Sequence, residues 1–194
     1  MKRTSSSGWF LVGLGLSVGG LGTSAAAADF PATKLQGSDT SADDAFGLAV
    51  DMDAGFVVAG ALGADNAKGA AYVWSPAGMQ LHRLVAPSAV ANDLFGSSVA
   101  IDGTAVLIGE AYDAGVAPYA GAAHVFDRDT GAHLMRLEAP DGMNGDEFGR
   151  SVAIGDEHFF VGAPNTSDQG HASGSVYAFD RMTGAFVHEF MDPS

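Results

Sequence analysis

Cysteine is missing from all 194 residues. No disulfide, thiolate metal site or lipidated Cys can therefore form, and stability must come from a packed core. Positive charge is scarce: 9 Lys and Arg stand against 23 Asp and Glu, a formal net charge of −14. A chain this acidic repels phosphate backbones, which excludes nucleic acid as a partner. Helical periodicity is absent beyond the first 28 residues, and no later run is long and apolar enough to cross a bilayer as a helix. Catalytic signatures are missing too. There is no Gly-x-Ser-x-Gly elbow and no His-x-x-x-His pair with a Glu among His82, His124, His133, His158, His171 and His188. Gly13-x-Gly15 falls in the N-terminal leader and is no phosphate loop. The sequence offers no catalytic residue, no cofactor-binding residue and no metal-ligand set, so an enzyme is not expected.

The leader is legible. Lys2 and Arg3 precede a short apolar run, Trp9 to Leu21, and Ala26-Ala27-Ala28 offers a small-residue cleavage site before Asp29. Residues 1–28 read as a secretory signal, and export follows: secreted, periplasmic or at the cell surface. Residues 29–194 then carry seven Lys and Arg against 23 acids, a charge of −16. That is enough chain for one domain with a real core.

What the chain has in abundance is repetition. Phe46-Gly47, Phe95-Gly96 and Phe148-Gly149 each precede a Val three residues after the Gly, and a second Gly follows thirteen residues after the first, at Gly60, Gly109 and Gly162. Leu35, Leu84 and Leu137 each stand eleven residues before a Phe-Gly pair, giving repeats of 49 and 53 residues. Each repeat reads as four short strands. The first alternates after Phe-Gly, as in Val99 and Ile101 against Ser98 and Ala100, and the second runs from Ala105 to Gly109. The turn between them, Asp102-Gly103, reads as a type I′ hairpin. A longer loop leads to the third strand, seen as GAAYVWS from Gly69, GAAHVFD from Gly121 and GSVYAFD from Gly174. The fourth strands are His133–Leu137 and Phe186–Phe190. Four antiparallel strands at about 50 residues is the period of a propeller blade. The predicted fold is all-β: three consecutive four-stranded antiparallel blades of a β-propeller, approximately 46–84, 95–137 and 148–190, in an incomplete or open ring behind a signal peptide. Phe46, Phe95 and Phe148 are expected between blades.

These words resemble FG-GAP repeats, the blades of the integrin α-chain head and of many bacterial surface proteins. Phe148-Gly149 with Gly162-Ala163-Pro164 carries the full motif, while the first two copies read Gly60-Ala61-Leu62 and Gly109-Glu110-Ala111. The resemblance implies a scaffold, not a chemistry. Its calcium loops do not carry over. Their place holds tight turns at Asp51-Met52-Asp53-Ala54-Gly55, Ile101-Asp102-Gly103-Thr104 and Gly155-Asp156-Glu157, and the Asp-x-Asp-x-Asp-Gly pattern is absent.

Strand order puts the second-to-third loops and the blade connections on one face. Its acids are Asp39, Asp43, Asp44, Asp65, Asp93, Glu110, Asp113, Glu138, Asp141, Asp146, Glu147 and Asp168, and Lys68 is the only Lys or Arg in those loops. Two readings follow. The face binds cations or a basic partner, or it is a solubilising surface. Asp44, Asp93 and Asp146, two residues before each Phe-Gly, are expected to hold their loops by bonding backbone N–H groups. The expected function is an exported, non-enzymatic binding, adhesion or structural module contacting a protein or glycan; the alternatives are a spacer or fragment without its own ligand, and an accessory module of a secreted hydrolase. Three blades do not close a ring that ordinarily holds 4–8, which points to a homodimer pooling six.

Overall fold

In the computed structural model, residues 34–167 and 172–191 are described; the leader, Asp168 and His171 lie outside them. Twelve strands form three separate four-stranded sheets. Blade one holds β1 (Val50–Asp53), β2 (Phe56–Ala61), β3 (Ala70–Trp74) and β4 (Gln80–Leu84). Blade two holds β5 (Phe95–Asp102), β6 (Ala105–Glu110), β7 (Ala122–Asp127) and β8 (His133–Leu137). Blade three holds β9 (Ser151–Ile154), β10 (His158–Ala163), β11 (Ser175–Asp180) and β12 (Phe186–Met191). Each sheet is antiparallel, with its strands in chain order. The same irregularity recurs between third and fourth strands, at Val73/Trp74, Val125/Phe126 and Ala178/Phe179. One helix-like segment, Ala64–Ala67, is a left-handed turn, with φ of 54° at Asp65 and 62° at Asn66.

The first hairpin of blade two differs from its reading in the sequence. Asp102 pairs with Ala105, so Gly103-Thr104 is the central pair, and only Gly103 has positive φ, at 58°. A Gly at the first central position is the type II′ pattern, not I′. In blade one Asp53 pairs with Phe56, and both central residues, Ala54 and Gly55, have positive φ, as type I′ requires.

The core lies between sheets. Val58, Val73 and Leu84 of blade one meet Phe95, Val99, Ile101 and Ile108 of blade two. Leu107, Val125 and Leu137 of blade two meet Phe148, Phe159, Val161 and Phe179 of blade three. Phe95 and Phe148 are fully buried at these junctions. Each also sets its ring edge against its own third strand: Phe95 on His124 and Phe126, Phe148 on Tyr177 and Phe179. Phe46 departs from the expectation. It is only partly buried against Tyr72 and Trp74, because among the described residues no second blade packs on its outer side.

Backbone contact at the junctions explains the glycines. Phe95 N–H donates to the Lys68 carbonyl (3.1 Å) and Phe148 N–H to the Ala120 carbonyl (2.8 Å). A Cβ on Gly60 would lie 2.0 Å from the Gly96 oxygen, and one on Gly109 would lie 1.9 Å from the Gly149 oxygen. Only Gly lets the strand carry another backbone this close. On the short-turn face, Asp51 Oδ2 accepts from Ile101 N–H and Asp53 Oδ2 from Gly103 N–H, both at 2.9 Å, tying blade one to blade two. Arg181 ties blade three to blade two through Asp102, reaching its carboxylate (2.5 Å) and its carbonyl (2.9 Å). In blades one and two the acids in the place of the calcium loop, Asp51, Asp53 and Asp102, are therefore interblade clamps.

Candidate functional site

The three long-loop regions are built alike, so each blade is a control for the others. Asp44, Asp93 and Asp146 are buried, and their Oδ2 atoms accept from the backbone N–H of Ser41 (2.6 Å), Val90 (2.7 Å) and Met143 (2.7 Å). These carboxylates fix the loop that delivers each Phe-Gly pair. Blades one and three share a second device: Tyr72 donates its hydroxyl to Asp39 (2.6 Å) and Tyr177 to Asp141 (3.0 Å). Burial, with the bond to Asp39, pushes the Tyr72 phenol up to about 12.

Blade two breaks the pattern at four positions. His124 stands in place of the Tyr, and Ser88 in place of the Asp. Glu110 occupies the position of Ala61 and Ala163, and Asp113 that of Ala64 and Thr166. Glu110 and His124 are fully buried, with Glu110 Oε2 at 2.8 Å from His124 Nε2, and His124 Nδ1 lies 3.0 Å from His133 Nε2. An ionised Glu110 only accepts, so His124 donates to it from Nε2, and the direction of the His124–His133 bond follows the protonation of His124 Nδ1. Burial raises the Glu110 pKa, and the bond from His124 opposes this only in part. Burial lowers that of His133, with His124 and Arg136 adding to the effect. Glu110 Oε1 is buried and has no hydrogen-bond partner. Both Glu110 and His124 are sealed from solvent, so neither can reach a substrate directly.

Beside this chain lies an open cleft of about 420 Å³, lined by Ser88, Asp93, Asp113, Arg136 and Glu138 among others. Arg136 forks onto Asp113 (3.2 Å to Oδ2 and 2.5 Å to Oδ1) and reaches Glu138 Oε1 at 2.7 Å. Burial works against its charge, but Asp113 and Glu138 hold it so strongly that its pKa rises. One carboxylate oxygen each from Asp93, Glu110 and Asp113 lies within 4.8 Å of the others, a set that could hold a cation. Burial raises the Asp93 pKa, with its backbone bond from Val90 opposing and the Asp113 charge adding. A second cleft of about 380 Å³ opens at Tyr112 and Tyr119, which meet edge to face at 5.4 Å beside Asn92 and Glu147.

The face is less uniformly acidic than its loops suggest. Arg83 and Arg136 come from the fourth strands and reach over the loop ends; Arg83 pairs with Asp39 (2.8 Å) and Asp65 (2.5 Å). Counting cations by loop missed both. Five of the acids, Asp44, Asp93, Glu110, Asp113 and Asp146, are buried and cannot serve as a solvating surface. Asp39, Asp43, Asp65 and Asp141 are exposed. The cluster at His124 was missed as well. Its trace in the sequence is that blade two changes Ala to Glu and Tyr to His at equivalent positions together.

The family model for the FG-GAP repeat matches at three consecutive places, residues 32–74, 79–126 and 133–179. The chain belongs to the FG-GAP repeat family. The second and third matches each run from a fourth strand through the following blade's third strand, so the FG-GAP unit straddles two blades. No curated protein matches the chain. Among solved structures it is similar to the computationally designed Ika8 protein at 19% identity, with a TM-score of 0.49, over 75% of this chain and 36% of that one. The chain thus spans little more than a third of that protein's length. FG-GAP repeats in a propeller-like fold make a binding or structural module. Among the described residues, no helix is long and apolar enough to cross a membrane.

Proposed function

We propose that this FG-GAP chain is an exported, non-enzymatic binding module whose long-loop face engages a protein ligand through that ligand's Lys or Arg side chains. The observation that carries the reading is the departure of blade two from its sisters. The Tyr–Asp contact satisfies the same loop in blades one and three, so packing does not call for Glu110 or Asp113. These residues concentrate carboxylates beside a cleft whose lining also includes Asp93 and Glu138. Loops on a rigid frame are where recognition usually sits. Export rests on the leader's charge, apolar run and cleavage site, and N-terminal sequencing of the secreted product should begin at Asp29.

Removing cleft carboxylates tests the binding reading. The double variant Asp113→Asn, Glu138→Gln takes two acids from the cleft and leaves the buried Glu110–His124 pair in place. Titrated with Lys- and Arg-containing peptides, the native protein should bind with an affinity that falls as salt rises, and the variant should lose most of that binding while keeping its fold. Equal binding by both proteins sinks the reading. The exposed Tyr119, paired with Tyr112 beside Asn92 and Glu147, favours a second reading, a glycan stacked on the aromatic pair. A glycan array would then show salt-insensitive binding that Tyr119→Ala abolishes.

A further inference from the structure

The two ends of the wedge match each other. At the first junction, Gly96 (φ 88°) sets its backbone against Gly60 and Ala70; at the second, Gly149 (φ 92°) does the same against Gly109 and Ala122. Gly47 holds the same left-handed conformation, φ 85°, yet a Cβ there would meet nothing within 4 Å. On the far side, Gly162 occupies the position of Gly60 and Gly109. A Cβ there would meet only the Ser151 residue, with its Oγ at 2.3 Å and no backbone atom nearer than 3.7 Å. Among the described residues, one docking glycine therefore has no backbone to dock on, and one receiving glycine receives none.

Side chains follow the same rule. Val99 and Ile101 are buried against blade one, whereas their counterparts on β1, Val50 and Met52, are 64% and 60% exposed. Ala123 and Leu137 are buried against blade three, whereas their counterparts on blade three, Val176 and Phe190, are 41% and 50% exposed. An open hollow of about 400 Å³ lies there, bounded by Ser151, Gly162, Gly174, Val176 and Phe190.

We infer that a second copy of this chain docks its Phe46–Met52 edge onto the Gly162–Phe190 face of the first, repeating the junction seen twice within the chain. The contact joins unlike surfaces, and two such contacts related by a two-fold axis close a ring of six blades, within the 4–8 that propellers ordinarily hold. Leu35, at the rim of blade one's core, fills the place that Leu84 takes at the first junction. Docking puts Phe190 of the second copy there and moves Leu35 aside.

Sedimentation of the purified protein tests this. The native chain should run at twice its monomer mass at micromolar concentration. Val50→Asp and Gly162→Ala should each run as folded monomers, because Val50 is exposed in the single chain and a Cβ at residue 162 has only the Ser151 side chain to displace. Mixing the two variants should restore a dimer, since one native edge and one native face remain between them. A native monomer up to about 100 μM, variants that pair as the native chain does, or a mixture that stays monomeric would each overturn the proposal. Open multimers larger than two would overturn ring closure. Circular dichroism of each variant separates lost pairing from lost folding.

Discussion

One substitution made at two equivalent positions separates junction packing from every other effect of glycine. At Gly109 an added methyl would lie 1.9 Å from the Gly149 carbonyl oxygen, where contacts under 3.0 Å are essentially never found. That oxygen belongs to the blade-three backbone and already accepts from Ser98 Oγ at 2.7 Å. Relief means moving blade three from blade two. Overpacking of this kind costs about 1–3 kcal/mol, and the strained hydrogen bond adds about 1 kcal/mol. Reduced freedom of the unfolded chain returns about 0.4–1 kcal/mol. Gly109→Ala should therefore lose about 1–3.5 kcal/mol. Gly162→Ala meets only the end of a side chain that can turn away, so its cost should stay below about 1 kcal/mol. Both are made in the Val50→Asp background, where pairing between copies cannot contribute. Urea unfolding followed by circular dichroism at pH 7 gives the two free energies, and equal slopes keep them comparable. The melting temperatures should differ by about 2–12 °C. If the two variants agree within about 0.5 kcal/mol, close backbone approach is not what holds the blades together.

Two further outcomes follow from burial and charge. Phe148→Ala should cost about 3–5 kcal/mol by the same unfolding assay, whereas Phe46→Ala, partly exposed at the open end, should cost roughly half that; equal losses would refute the junction role of Phe148. Burial raises the folded-state pKa of Glu110, so the native chain binds its proton more tightly than the unfolded chain, and stability from this group falls as pH climbs through and above 4.5. Asp93 acts in the same direction and His133 in the opposite one, and Glu110→Gln leaves both in place. The stability of the variant relative to the native protein should thus grow between pH 4.5 and 7, and a relative stability that shrinks would mean the bond from His124 outweighs burial.

The blades were legible because their chemistry is local and repeated. A junction that needs backbone on backbone admits only Gly at 60, 96, 109 and 149, and the Phe-Gly spacing records it. The alternation after each pair fixed which side chains would face a neighbour, and Val99 and Ile101 do so. Phe46 failed that expectation for a reason the pattern cannot carry: burial needs a neighbour, and the motif is the same with or without one. The turn at Asp102-Gly103 was misread by one residue, since a Gly fits either central position and only strand pairing decides between them. The site was less legible still. Glu110, His124 and His133 are far enough apart in sequence to form no motif, and antiparallel pairing alone brings them into line. Arg136 belongs to a strand yet serves the loops, because its long side chain reaches past the end of β8.

Repetition inside one chain sharpens the argument for blade two. A buried carboxylate is costly unless its oxygens are satisfied, and a partner removed from such a group costs more than the pair ever contributes. Glu110 keeps one oxygen without a partner, whereas the Tyr72–Asp39 and Tyr177–Asp141 contacts solve the same structural problem with a hydroxyl and an acid at the loop surface. The stable solution was thus available to this fold, and used on either side. The costlier arrangement in the middle blade, set beside a cleft with carboxylate oxygens of Asp93 and Asp113 within 4.8 Å, is what the proposed binding role accounts for. It also lies on the long-loop face, away from the short-turn clamps of Asp51, Asp53 and Arg181, so a ligand held there leaves the blade junctions undisturbed.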